Sequence, residues 1–279
     1  MNIKKRIFPI LFAAVMLSGC AGSDNADGES TSAADKPAET VSAAETTPED
    51  SSSEPEVLVP KEHTYDPEKP LIALTFDDGP NTTCTPQVLD LLEKNDAVGT
   101  FFLIGQNIND DNAEVVKRAY LMGCEIADHS YTHEYFTKMT PDQMKEEISK
   151  TEELITGIIG KGSTFLRPPY IAVNMDMYEN IDLCFISGYG CNDWDSAVTV
   201  QERIDKTLEQ ACDGAIILLH DQPQNFATVE ALETIIPSLA EQGYEFVTVS
   251  ELFEAKGIDP ADELWGRYRT FSVVEKREE

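Results

Sequence analysis

The chain has 279 residues, 41% of them hydrophobic and 26% charged, which is enough for one sizeable folded domain and an appendage. Its formal net charge of -30 excludes a phosphate-backbone binder, which needs clustered Lys and Arg. Nucleic acid is therefore not an expected partner.

Lys4, Lys5 and Arg6 precede an apolar run over residues 7–17. That run falls short of the roughly 20 residues a membrane-spanning helix needs, so residues 1–20 read as a signal peptide. Leu17-Ser-Gly-Cys20 closes it with small residues and a cysteine. This resembles a bacterial lipoprotein lipobox, which implies that Cys20 is lipidated. The protein would then sit on the extracellular face of the bacterial cell membrane.

Residues 21–65 are rich in Ser, Thr, Ala, Glu and Asp and show no apolar periodicity. Such a segment cannot bury enough surface to offset its ordering entropy, so a disordered linker is expected. Eleven acids against two lysines give it a net charge of -9, and like charges keep a linker extended. The remaining domain, 66–279, has a net charge of -24 and should prefer neutral or cationic polymers to polyanions. With Cys20 lipidated, an odd number of cysteines remains. No CxxC spacing suggests a cysteine metal site, and Cys184 and Cys191 are close enough to bridge without the sequence deciding it.

From about residue 70, short β-rich runs alternate with helical patterns. The runs are 71–75, 98–104, 124–127, 164–166, 183–187, 215–219 and 244–249. Several are continuously apolar, as expected for strands covered on both faces. Residues 141–159 read as an amphipathic helix with Met144, Ile148 and Ile155 on one face and a Thr140/Gln143 capping box. Helical patterns also cover 200–212 and 228–242, the latter stopping at Gly243. Seven strand–helix alternations predict a distorted parallel (β/α)7 barrel, with a doubly wound open sheet as the alternative.

Polar groups cluster just past the strand ends. Asp77 and Asp78, then Asp128, His129 and His133, then Arg167, Asp193 and His220 all lie there. In a parallel barrel these ends converge on one face, where active sites form. His129 and His133, four apart, have a common zinc-ligand spacing. A catalytic zinc takes three protein ligands, so Asp77 or Asp78 is expected to complete the set. The metal lowers the pKa of its water to about 7, and the other carboxylate serves as general base. Hydrolysing an amide also requires protonating a poor leaving group, a role that suits His220. Asp193 is placed to hold His220 protonated, and Arg167 to pair with Asp77.

Thr75-Phe-Asp-Asp-Gly-Pro80, His129-Ser-Tyr-Thr-His133, Arg167-Pro-Pro-Tyr170, Asp193-Trp194 and Leu218-Leu-His220 resemble the five motifs of polysaccharide deacetylases, carbohydrate esterase family four. The resemblance covers about residues 68–255. It implies that Asp78, His129 and His133 bind one divalent metal, zinc or sometimes cobalt or nickel. It further implies Asp77 as base with Arg167 as its tether, and His220 as acid supported by Asp193. The backbone N–H of Tyr170 would stabilise the oxyanion, while Trp194 and Leu218 would wall the substrate groove. Two departures stand out. Ile171 occupies a position where many relatives have Gly, and residues 187–192 lack the usual Trp and an upstream Asp.

The expected function is metal-dependent removal of N-acetyl groups from N-acetylglucosamine-type residues of a cell-wall or extracellular polysaccharide, with peptidoglycan favoured. The alternatives are an O-acetyl esterase on xylan or another acetylated polysaccharide, and a non-catalytic glycan-binding lipoprotein.

Overall fold

The computed structural model describes residues 57–262 and 269–275. The expected signal peptide with its Cys20, and the expected linker as far as residue 56, lie outside the described residues.

The strands are β1 (Leu71–Gly79), β2 (Thr100–Leu103), β3 (Glu125–Asp128), β4 (Phe165–Leu166), β5 (Cys184–Ile186), β6 (Tyr189–Gly190), β7 (Ala215–His220), β8 (Glu245–Phe246) and β9 (Thr270–Phe271). They pair in the order β6-β7-β1-β2-β3-β4-β5-β9, with β8 also on β1, and the ladders between these strands are parallel. Between them run α1 (Cys84–Lys94), α2 (Ala113–Leu121), α3 (Pro141–Ile159), α4 (Met175–Asn180), α5 (Val200–Gln210), α6 (Phe226–Glu241) and α7 (Val249–Ala255). Each run read as a strand carries one, and the alternation continues through all seven.

Two apolar clusters explain why the sheet curls. Ile72, Leu74 and Phe76 of β1, with Ile217 and Leu219 of β7, pack outward against Val88, Leu92, Leu232 and Ile235 of the helices. The alternate residues face the other way. Leu71, Ala73, Phe102, Ala127, Phe165, Ile186, Ile216 and Phe271, from seven different strands, share one interior cluster. Side chains from so many strands meet only if the sheet wraps around them, which gives the (β/α)7-type barrel rather than an open sheet.

The seam between β5 and β7 is closed by the C-terminal stretch. β9 pairs with β5, and Ser187 N–H donates to Phe271 O (2.7 Å). Ile216 N–H then donates to Ser272 O (3.0 Å), and Val274 N–H to Gly214 O (2.9 Å). Phe271 and Val274 are buried.

The folded body extends upstream of residue 66, the boundary expected from composition. Lys61 N–H donates to Leu121 O, His63 Nδ1 lies 2.9 Å from Glu251 Oε1, and Tyr65 Oη donates to Glu251 O (3.3 Å). These three residues have partners on α2 and α7, which composition alone does not show.

The capping box of α3 is present in both directions, Gln143 N–H to Thr140 Oγ1 and Thr140 N–H to Gln143 Oε1. No helix among the described residues is long and apolar enough to cross a membrane. Cys84, Cys124, Cys184, Cys191 and Cys212 are all free thiols and only Cys212 is exposed, so Cys184 and Cys191 do not bridge. Burial raises the Cys124 and Cys184 thiols to about 12, so both are inert small hydrophobes.

Candidate active site

The inward-facing period of two leads straight to the polar residues. On β1 the inward series 71, 73, 75 ends at Asp77, and on β7 the series 216, 218 ends at His220. The parallel register pairs Asp77 with His220 across neighbouring strands. On β3 and β4 the same alternation carries Ala127 to His129 and Phe165 to Arg167.

Asp78 breaks that pattern. The β1–β2 register shifts between Asp77 and Gly79, and Asp78 has φ of 71°. This extra residue re-aims the chain, as a bulge does, so two consecutive carboxylates both reach the groove.

Asp78, His129 and His133 each offer a donor atom, all within 4.8 Å of one another. Asp78 Oδ1 lies 3.5 Å from His129 Nε2 and 3.4 Å from His133 Nε2. His129 Nδ1 sits 2.6 Å from Arg167 O. A carbonyl only accepts, so Nδ1 carries the proton and the Nε2 lone pair faces Asp78. Asp78 Oδ1 is buried without a hydrogen-bond partner. One carboxylate and two imidazoles thus converge their acceptor atoms on one point, an arrangement that a divalent cation satisfies.

The titration of these groups fits that arrangement. Burial pushes the Asp78 carboxyl up, but the neighbouring imidazoles of His129, His220 and His133 bring it below its ordinary value. Burial and the neighbouring His129 lower the His133 pKa, favouring the neutral ligand form.

The turn bearing both histidines is held from α3. Glu147 Oε2 accepts from Tyr131 N–H (3.1 Å), Thr132 N–H (2.7 Å) and Thr132 Oγ1 (2.8 Å). His133 N–H donates to Ser130 Oγ (3.0 Å).

Asp77 is held by Arg167, whose Nη1 donates to Asp77 Oδ1 at 2.5 Å and whose Nη2 donates to Ser187 O at 2.6 Å. The guanidinium lies over the Phe102 ring, 4.1 Å from its centroid. Arg167 is fully buried, and burial lowers its pKa despite the support of Asp77.

His220 is gripped twice by Asp193: its N–H donates to Oδ2 (2.7 Å), and Nδ1 lies 2.8 Å from Oδ1. Thr228 Oγ1 also donates to Asp193 Oδ2 (2.8 Å), and the same hydroxyl accepts from the buried Arg203 (2.7 Å). Burial alone would lower the His220 pKa. The Asp193 hydrogen bond and charge, with Asp77 and Asp78, outweigh it and raise the value to about 9.

Asp77, Asp78, His129, His133 and His220 line a groove of about 690 Å³ together with Tyr170, Ile171, Trp194 and Leu218, and the buried Arg167 and Asp193 stand behind them. Tyr170 and Trp194 are more than half exposed. The Tyr170 ring stacks on Tyr135 at 4.0 Å and tilts against His133 at 4.8 Å. Tyr170 and Ile171 both adopt positive φ, 60° and 54°. Every site residue expected within the domain therefore reaches one place.

Sequence reasoning missed Asp221, the neighbour of His220. Its carboxyl is buried, accepts from Thr85 Oγ1 and titrates at about 7, raised by burial and by Asp78 and Asp77. Its N–H donates to Asp77 O (3.1 Å). A charged residue directly after a strand-end histidine was the available signal. Asn107, which bonds Asp78 O, carries no comparable signal.

A family model described as Polysaccharide deacetylase matches residues 64–183. A bifunctional xylanase/deacetylase of Pseudobutyrivibrio xylanivorans is 53% identical over 201 residues, covering 71% of this chain and 33% of the relative. A Bacillus subtilis peptidoglycan-N-acetylmuramic acid deacetylase, PdaC, is 35% identical over 201 residues, covering 72% of this chain and 42% of the relative. The chain thus spans well under half the length of these two relatives. The solved structure of a family 4 acetyl xylan esterase from Clostridium thermocellum, in complex with a cobalt ion, superposes with a TM-score of 0.69. It is 40% identical and covers 73% of this chain and 98% of that one.

Proposed function

The chain belongs to the polysaccharide deacetylase family, carbohydrate esterase family four, and we propose that it is a metal-dependent N-deacetylase of N-acetylglucosamine-type residues, with peptidoglycan the favoured polymer. The observation that carries the N-acyl reading is the double grip of Asp193 on His220. An amine leaves only after protonation, whereas an alkoxide leaves more readily, so a firmly protonated imidazole matters most for an amide.

In this reading Asp78, His129 and His133 hold the divalent cation, with zinc the first choice and cobalt or nickel as alternatives. When bound, the cation supplies Lewis acidity at the acyl oxygen and acidifies water. Asp77, fixed by Arg167, removes the proton from the attacking water. The Tyr170 N–H donates to the developing oxyanion, a contribution worth about 3–4 kcal/mol per donor in other hydrolases. His220, with Nδ1 held by Asp193, delivers a proton from Nε2 to the departing nitrogen. Trp194 and Leu218 wall the sugar and the acetyl methyl.

The decisive assay is acetate release by the purified, metal-loaded protein from N-acetylglucosamine oligomers, peptidoglycan glycan and acetylated xylan, with and without chelator. Chelator-sensitive release from the amino-sugar polymers is expected. A second reading, O-deacetylation of xylan, is favoured by the 53% identity to a protein named xylanase/deacetylase. Release from xylan alone would establish it, and in that case His220→Ala should keep much of the activity, since an alkoxide leaves more readily than an amine. Metal binding without release from any substrate would favour a glycan-binding role.

The sequence of residues 1–20 supports a lipid anchor at Cys20, with residues 21–65 tethering the catalytic domain outside the membrane. Metabolic labelling with a fatty acid should mark the wild type and not Cys20→Ala; equal labelling of both removes the anchor from the proposal.

A further inference from the structure

We infer that the turn Gly105–Asn107 is a brace that sets the distance between the two ligand-bearing loops, with Asn107 the positioning residue for Asp78. This inference rests on the metal reading of Asp78, His129 and His133.

The turn follows β2 and lies between the loops. Toward β1, Ile104 N–H donates to Gly79 O (2.9 Å) and Asn107 Nδ2 donates to Asp78 O (3.0 Å). Toward the histidine turn, Gly105 N–H donates to Ser130 O and Gln106 N–H to Tyr131 O, both at 2.9 Å. Four consecutive residues therefore bond both loops, and only one of the four bonds comes from a side chain.

Both loops need such support. Asp78, Ser130 and His133 have φ of 71°, 68° and 60°, a region that residues with a Cβ seldom occupy and that persists only where the surroundings over-determine it. The Asp78 carboxylate is positioned by a backbone with no regular ladder partner, and Asn107 binds the carbonyl of that same residue.

Asn107 is itself immobilised. Its carbonyl accepts from Asn112 Nδ2 (2.7 Å) and Asn109 Nδ2 (3.0 Å), and the buried Asn112 also reaches Pro80 O (3.3 Å). Gly105 leaves the turn no slack: a Cβ there would meet Thr151 Oγ1 at 2.5 Å and Tyr131 Cδ2 at 2.7 Å. The chemistry at position 107 is specific, because the Asp78 carbonyl only accepts. An aspartate has the shape of asparagine but, ionised, has no proton to donate.

The test uses the full chain as wild type, Asn107→Asp and Asn107→Ala, stripped of metal. Zinc and cobalt affinities are measured by calorimetry against a competing chelator, alongside apo melting temperature and kcat and KM at saturating metal. Both variants should bind metal 10–100-fold more weakly, the range found when outer-shell partners of metal ligands are removed. Their apo melting temperatures should stay close to wild type, and excess metal should restore kcat with KM unchanged. Wild-type metal affinity in both variants overturns the brace, as does weak binding accompanied by a collapsed apo melting transition in both. A wild type that binds neither metal defeats the underlying metal reading instead.

Discussion

Asp77 and Asp78 are neighbours in a strand, where successive side chains ordinarily point to opposite faces, yet the bulge at Asp78 brings both to one groove. The partners then divide their roles, since Asp77 meets Arg167 while Asp78 Oδ1 faces two imidazoles. Asp77→Asn should keep the metal and lose about 10²–10⁴ in turnover, whereas Asp78→Ala or His129→Ala should lose both. Metal content and acetate release measured together decide it; equal metal loss in Asp77→Asn would reverse the assignment. The acid side has its own signature in pH. His220 is raised from 6.5 to about 9, so its proton is present below that value and is lost as pH rises through it. Both proton donation and the stability gained from the Asp193 pair therefore fade on the alkaline side. A bound cation repels the imidazolium, which places the limb below about 9 in the loaded protein. Asp193→Asn removes the main raising partner and should move the descending limb of kcat to lower pH; an unmoved limb would exclude His220 as the acid. Ile171, β-branched at φ 54°, carries backbone strain of about 1–3 kcal/mol. Ile171→Gly should relieve part of that strain and raise KM by removing a groove wall, to be read from melting and steady-state kinetics.

The strap formed by β9 and residues 272–274 makes the barrel's stability depend on a segment remote in sequence from the β5–β7 seam it fills. Gly214 sits where only glycine fits, at φ 85° with Val274 O 2.2 Å from any added Cβ. Gly214→Ala should displace the strap and cost at least about 1–3 kcal/mol, and Phe271→Ala about 3–5 kcal/mol. Denaturant melting checks both, and metal affinity should barely change because the strap's backbone hydrogen bonds go to Ser187, Gly214 and Ile216 rather than to a ligand loop. Local pattern made parts of this architecture readable in advance. β1 and β7 are continuous buried runs, and the α3 bounds followed from a capping box and a sustained apolar face. The two-residue strands β6 and β9 were not readable, since such short pieces are defined by their neighbours. The 11 residues of α1 and 9 of α2 give only two or three turns of periodicity. The same division runs through the site. Most residues with ionisable side chains at strand ends announced themselves, Asp221 being the exception despite its place after His220, while Asn107 and Arg203 act through backbone carbonyls and a buried hydroxyl, which become visible only when the chain is folded.

The net charge of residues 66–279, -24, bears on which polymer the groove meets and on what happens after reaction. A neutral N-acetylglucosamine oligomer feels little of this field, while a glycan strand bearing carboxylates is repelled by it. Each N-deacetylation leaves an ammonium on the polymer, so the product is drawn to the surface more strongly than the substrate was. That attraction is long-ranged at about 0.01 M salt, where the screening length is about 30 Å, and short-ranged at 1 M, where it is about 3 Å. Deacetylated oligomers should therefore inhibit strongly at low ionic strength and weakly at high, while KM for the neutral oligomer changes little. Progress curves at several salt concentrations, compared with initial rates in the presence of added glucosamine oligomer, measure this directly. Equal product inhibition at 0.01 M and 1 M salt would mean that the groove, lined by its own paired carboxylates, is shielded from the net charge. Substrate choice would then rest on contacts with Tyr170, Trp194 and Leu218 rather than on the long-range field.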